Sequence, residues 1–263
     1  MPGDKTRLLD VSGLRVSVPG RVLVDALDMT LERGEFIAVL GRNGTGKTLS
    51  LLTLAGLRRP DGGTVRLGGT AIGELRRQHV AQRLALLPQD TDDIFPATVL
   101  DTALVGRHPH IGRFRWESQQ DCELARASLA IVGMEELSHR DVLSLSGGER
   151  RRLAIAQVLT QSPEVYLLDE PTNHLDPQHQ VDTLHVFRRA ADNGAGVIAS
   201  LHDVNLAARV ADRCLLLFGD GRWEFGTTDE VLDEERLEAL FETPMEAVSW
   251  RDRRLFVAGG ERP

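Results

Sequence analysis

The sequence predicts an α/β fold built on a mostly parallel sheet, with a helical subdomain inserted into it. Two observations carry this reading. Short apolar runs alternate with longer helical patterns along most of the chain, as expected of strands buried on both faces and joined by helices. One stretch, from about Thr91 to Asp141, has no strand-like run and reads as several helices. The expected organisation is a single domain over residues 1–263: an α/β core from 1–90 and 142–263, and a helical subdomain at about 91–141.

The expected strands are Phe36 to Leu40, Leu84 to Leu87, Val165 to Leu168, Val197 to Leu201 and Cys214 to Phe218, each a compact run of β-branched or leucine-rich residues. Helical patterns cover Lys47 to Ala55, Glu117 to Val132, Gly147 to Thr160, Pro177 to Asp192 and Asp203 to Val210. Each opens on a capping residue or a proline, and several are followed by glycine.

Composition excludes several function classes. With 41% hydrophobic residues in 263 the chain can fill a core. No run reaches the roughly eighteen apolar residues of a spanning helix, and Met1-Pro2-Gly3-Asp4-Lys5 lacks the apolar middle of a secretory signal, so the chain is expected to stay in the cytoplasm. A formal net charge of −8 opposes a role in gripping nucleic acid, which depends on clustered Lys and Arg. Cys122 and Cys214 lie far apart in a helical and a strand pattern and read as incidental thiols, with neither a disulfide nor a metal site expected.

The chemistry begins at Gly41-Arg42-Asn43-Gly44-Thr45-Gly46-Lys47-Thr48, which fits G-x-x-x-x-G-K-[ST] between an apolar strand and the helical run opened by Leu49. Glycines let successive N–H groups curl toward phosphate oxygens, and the helix that follows adds the positive end of its dipole. Lys47 can neutralise the β- and γ-phosphates and Thr48 can ligate Mg²⁺. The strand Val165 to Leu168 then delivers Asp169 and Glu170. Neighbouring residues leaving a strand point in different directions, so Asp169 can reach the magnesium shell while Glu170 polarises an attacking water. These two motifs alone fit a kinase, a GTPase or a helicase equally well.

Leu145-Ser146-Gly147-Gly148-Glu149, opening a helix that carries Arg150, Arg151 and Arg152, resembles the signature motif of the ABC ATPase family. The family's other elements follow in order. Gln89 in Leu86-Leu-Pro-Gln is similar to the Q-loop glutamine, Leu175-Asp176 to the D-loop, and His202 in Ser200-Leu-His-Asp to the switch histidine. The resemblance implies the P-loop NTPase fold of ABC ATPases, with an antiparallel β edge beside the parallel core. It implies MgATP held between two copies of the chain, with Ser146, Gly147, Gly148 and Glu149 of one closing over the nucleotide of the other. It further implies that Thr48, Gln89 and Asp169 serve the metal, that Glu170, His202 and Gln89 serve hydrolysis, and that Asp176 connects the two sites.

Two departures from the family pattern are visible. Where an aromatic residue usually stacks on adenine, the matching position is Val18, leaving Arg15 or Arg21 to cover the base. Glu149 stands where many members have glutamine, and its carboxylate can still accept hydrogen bonds from a ribose hydroxyl.

The segment from Ile94 to His110, with Phe95, Val99 and Leu100, resembles the coupling region of importers for iron-siderophore complexes, haem and cobalamin. An exporter ATPase shares the same fold and is separated only by this segment; a soluble, non-transport ABC ATPase would carry tandem cassettes, a coiled-coil insertion or a basic face. The importer resemblance implies two transmembrane permease subunits, an external substrate-binding protein that selects the cargo, and a peripheral position on the cytoplasmic face of the inner membrane. His108, His110 and the run Arg113-Phe-Arg-Trp116 read as a solvated loop near that surface.

Overall fold

Residues 6–89, 96–112, 115–251 and 253–259 are described by a computed structural model. The strands are β1 (Arg7–Val18), β2 (Arg21–Glu32), β3 (Phe36–Leu40), β4 (Gly62–Leu67), β5 (Thr70–Ala71), β6 (Leu84–Leu87), β7 (Val165–Leu168), β8 (Gly196–Leu201), β9 (Arg213–Leu217), β10 (Trp223–Thr227), β11 (Met245–Trp250) and β12 (Arg253–Ala258). The helices are α1 (Lys47–Leu54), α2 (Arg77–Arg83), α3 (Val99–Leu104), α4 (Gln119–Ile131), α5 (Gly147–Gln161), α6 (Pro177–Asp192), α7 (Val204–Val210), α8 (Thr228–Val231) and α9 (Glu234–Phe241).

The apolar runs become a six-stranded sheet of order β10-β9-β3-β8-β7-β6, in which β10 alone is antiparallel to its neighbour. Side chains on a strand alternate between faces. Accordingly Phe36, Ala38 and Leu40 pack with Phe187 of α6 and Ala207 of α7, while Ile37 and Val39 pack with Leu9, Val24 and Leu51 on the other side. That second face is covered by an antiparallel sheet of order β2-β1-β4-β5, so the central strands have no solvated side and are apolar throughout.

A third cluster gathers Val99 and Ala103 of α3, Ala125 and Leu129 of α4, and Leu153 and Ala156 of α5. Helix α5 therefore faces two cores, because Ala154, Ile155 and Val158 pack against the sheet. Of the two roles open to Val99 and Leu100, contact with a membrane subunit or packing in the core, the structure shows packing: Val99 is fully buried in this cluster and Leu100 packs against it. Phe95, Ile94, Arg113 and Phe114 lie outside the described residues. Among the described residues no helix is long and apolar enough to cross a membrane.

All five expected strands and all five expected helices form, with ends shifted by at most two residues. The two longest strands, β1 and β2, escaped the sequence reading for a physical reason. Their pairing carries register shifts around Leu9, Leu14 and Val16, which break the two-residue alternation that marks a strand.

Helix starts are fixed by local hydrogen bonding. Thr98 with Asp101, Ser118 with Asp121 and Ser146 with Glu149 form reciprocal capping boxes, and Asp176 caps α6 ahead of Pro177. The Asp121 carboxylate also accepts from Arg107 Nε at 2.7 Å. The Ser118 hydroxyl and N–H, reinforced by Arg107, hold it down to about 2, below the ordinary aspartate value of 3.8. A depressed carboxyl stabilises the fold above its unfolded value and ceases to as pH falls through its folded value. Acid titration followed by circular dichroism should therefore lose stability between about pH 4 and pH 2, and Asp121→Asn should remove that segment of the curve while costing about 1 kcal/mol at neutral pH, the worth of a helix cap.

Candidate functional site

Because β3, β6, β7 and β8 run parallel, their carboxyl ends open on one edge of the sheet, where ligands of α/β folds bind. The turn after β3 closes on itself. A side chain at Gly41 would meet the Leu217 carbonyl oxygen and Thr45 Oγ1 at 2.6 Å each, and Gly46 takes φ 103° as it enters α1. Lys47 is 5% exposed, and its Nζ donates to the carbonyls of Gly41 at 2.8 Å and Arg42 at 3.2 Å. Burial holds the ammonium below the ordinary lysine range, and the Glu170 and Asp169 carboxylates oppose that shift.

Strand β7 ends in those two carboxylates. Asp169 accepts from the Ser200 hydroxyl at 2.7 Å, and the same hydroxyl accepts from the Glu170 N–H at 2.8 Å. Glu170 has φ 47°, a left-handed conformation seldom adopted by side-chain-bearing residues outside functional sites. Its Oε1 lies 2.5 Å from His202 Nε2, and its Oε2 accepts from the Asn173 amide. A carboxylate gripped at both oxygens is fixed in direction, which general-base chemistry requires.

A cavity of about 730 Å³ unites these parts. Asn43, Gly44, Gly46, Lys47, Thr48, Leu49, Gln89, Glu170 and His202, all named by sequence, line it together with Asn173. Val18, Arg21 and Leu23 line it as well. Arg21 is tied there by Nε to the Gly219 carbonyl at 2.7 Å, whereas Arg15, the other candidate for covering a base, pairs with Asp25 and does not line the cavity. Gly41, Arg42 and Thr45 stand behind the loop, with the Arg42 guanidinium paired to Glu242. Asp169 is buried behind the wall.

The signature-like residues Ser146, Gly147, Gly148 and Glu149 do not line this cavity, and neither does Asp176. Ser146 N–H and hydroxyl both donate to Glu149 Oε2 at 2.8 Å. The Glu149 carboxylate, expected to be available to a ribose, is thus taken up by the start of its own helix and by Arg140. Asp176 is occupied by the His179 N–H and ring.

Sequence reasoning missed Asn173, Ser200 and the role of Arg151, whose buried guanidinium donates to the carbonyls of Pro88, Gln89, Asp169, Glu170 and Pro171. Ser200 lies inside a segment quoted as a motif and Asn173 between two such segments, but nothing local marks Ser200 as the partner of a carboxylate on another strand or Asn173 as the partner of Glu170 three residues before it. His110 is engaged by the Gln161 carbonyl, and Trp116 is exposed.

Residues 24–173, more than half of the chain, match the family described as ABC transporter. The chain belongs to the ABC transporter family. It is 45% identical over 212 residues to the hemin import ATP-binding protein HmuV of Deinococcus radiodurans, covering 79% of each chain. It is 39% identical over 236 residues to the cobalamin import ATP-binding protein BtuD of Halobacterium salinarum, covering 89% of this chain and 58% of that one, so it spans little more than half of that relative's length. Among solved structures, an inward-facing metal-chelate type ABC transporter matches with a TM-score of 0.84 and 29% identity over 97% of this chain and 98% of that one.

The residues present fit a magnesium nucleotide. A glycine turn that a single Cβ would obstruct and a buried ammonium at its centre suit phosphate, and the hydroxyl of Thr48, the amide of Gln89 and the carboxylate of Asp169 are oxygen donors of the kind magnesium takes, few enough that phosphate and water complete the shell. Lys47→Ala should weaken ATP binding about 10- to 100-fold, the range of a charged hydrogen bond, in a calorimetric titration.

Proposed function

We propose that this chain is the ATP-binding and ATP-hydrolysing subunit of an importer for a metal chelate, an iron-siderophore, haem or cobalamin. The observation that carries the catalytic part is the Glu170 carboxylate, held by His202 and Asn173 in the same cavity as the Lys47 ammonium. The import-protein relatives and the metal-chelate transporter neighbour support the choice of cargo class. In this reading the chain works as a homodimer on the cytoplasmic face of the inner membrane, beneath two permease subunits supplied by a separate binding protein.

The glycine turn and Lys47 hold the phosphates of ATP, and Ser146, Gly147 and Gly148 of a second copy close over them as a helix N-terminus suited to anions. The capping box takes up the Glu149 N–H, and helix geometry leaves the Gly147 and Gly148 N–H groups without an intrahelical acceptor, which favours this docking. Thr48, Gln89 and Asp169 would hold magnesium, which would screen charge on the phosphates. Glu170 accepts a proton from water as the water oxygen bonds to the γ-phosphorus and the bond to the β,γ-bridging oxygen breaks, giving ADP and phosphate. His202 orients Glu170 and donates toward the γ-phosphate oxygens. Closure and release of the dimer shift the membrane subunits between orientations, so the cargo never touches this chain.

Glu170→Gln, which keeps the shape and removes the base, should lower turnover by about 10²- to 10⁴-fold and trap an ATP-dependent dimer on sizing chromatography. Equal turnover in the two chains would remove Glu170 from the role of base.

A further inference from the structure

The first turns of α5 and the backbone beyond β6 and β7 are joined by one guanidinium. Arg151 lies two residues past the Ser146–Glu149 capping box and is 4% exposed. Its Nη1 donates to the Pro88 and Gln89 carbonyls at 2.6 and 3.0 Å, beyond the end of β6. Its Nη2 donates to the Asp169 and Glu170 carbonyls at 2.8 Å each, beyond the end of β7. All these acceptors are backbone oxygens, so Arg151 fixes the chain path from which the Gln89 and Glu170 side chains project into the cavity. Glu170 keeps its left-handed φ of 47° while its backbone is held by Arg151 and the Asn173 N–H at the carbonyl and by Ser200 at the N–H.

The fork is rigid and planar, which suits it to transmitting position where a lysine would supply one flexible point charge. Helix α5 also packs on both the sheet and the helical cluster, so a displacement of either core relative to the other is carried along it.

We infer that Arg151 is a positioning residue that couples the seat of the Ser146–Gly148 turn to the placement of Glu170 and Gln89. This rests on the reading of the chain as a dimeric ATPase. Nucleotide contact at the turn in one site then sets the geometry of the base in the other site of the pair, and hydrolysis becomes cooperative in ATP.

The test compares the full-length wild-type chain with Arg151→Gln, which retains amide donors so that the fold is kept, and Arg151→Lys, which retains the charge. ATP affinity, ATP-dependent dimerisation, thermal midpoint, kcat and the Hill coefficient for ATP are measured on each. The expected result for Arg151→Gln is unchanged affinity and dimer formation, kcat lower by on the order of a hundredfold, as for a catalytic group misplaced by about 1 Å, and residual turnover without cooperativity. Arg151→Lys should fall between. Unchanged kcat and Hill coefficient would overturn the proposal. So would affinity, dimerisation and kcat falling in step with the thermal midpoint, the pattern of a packing defect. A wild-type chain that binds ATP with neither turnover nor dimer overturns the underlying ATPase reading, and that result is distinct because it does not depend on the variants.

Discussion

A buried ammonium and a buried carboxylate line the cavity, with a second buried carboxylate behind them, and the rest of the structure is arranged around that constraint. Lys47, Asp169 and Glu170 are 5%, 2% and 6% exposed, where an uncompensated charge is costly. Each is satisfied separately: Lys47 by the carbonyls of its own loop, Asp169 by the Ser200 hydroxyl, Glu170 by Asn173 and His202. Opposite charges that are individually partnered can lie close without collapsing onto one another. A phosphate chain entering between them finds the cation already desolvated and oriented, the preorganisation on which electrostatic catalysis depends.

The parallel sheet makes that arrangement possible. An antiparallel sheet would send neighbouring strand ends to opposite edges, whereas here β3, β6, β7 and β8 deliver the glycine turn, Gln89, the two carboxylates and His202 to the same one. Parallel strands need crossover connections, and α5 is the crossover that leads into β7. Being a connection between cores as well as between strands, it cannot shift without loading the polar contacts that Arg151 makes at the strand ends. Those contacts are short and end on backbone, so they yield less readily than side-chain pairs on a surface.

Much of this was legible in the sequence because its determinants are local. A continuous apolar run flanked by glycine or proline specifies a doubly covered strand, and the spacing of Gly41, Gly46 and Lys47 specifies a turn around phosphate. What stayed hidden depends on contacts between segments far apart in the chain. Ser200 acts on residues 30 and 31 positions earlier, and Arg151 on carbonyls up to 63 positions away, with no periodicity to announce either. Val99 and Leu100 look like a surface patch until α4 and α5 are folded over them. Glu149 shows how one pattern serves two physical purposes: the same serine-to-glutamate spacing that resembles a nucleotide motif is also a capping box, and in this chain the cap claims the carboxylate.

The cavity separates the two arginines that the sequence left as equals. Arg15 and Arg21 flank the β1–β2 turn, but Arg15 is drawn to Asp25. Arg21 is drawn to the Gly219 carbonyl, at a glycine so close to the phosphate-binding turn that a Cβ there would lie 2.9 Å from Thr45 Cα. Arg21 is therefore anchored beside the glycine turn, with Val18 and Leu23 lining the same cavity. In the proposed reading, a base beside Val18 would meet a planar cation and two aliphatic side chains. Aromatic pairs are worth about 0.5–1.5 kcal/mol beyond their buried area, and a guanidinium also stacks on aromatic faces. In that reading the exchange of a ring for Arg21 is a small energetic change, and the larger share of nucleotide affinity would fall to the buried charges around the glycine turn.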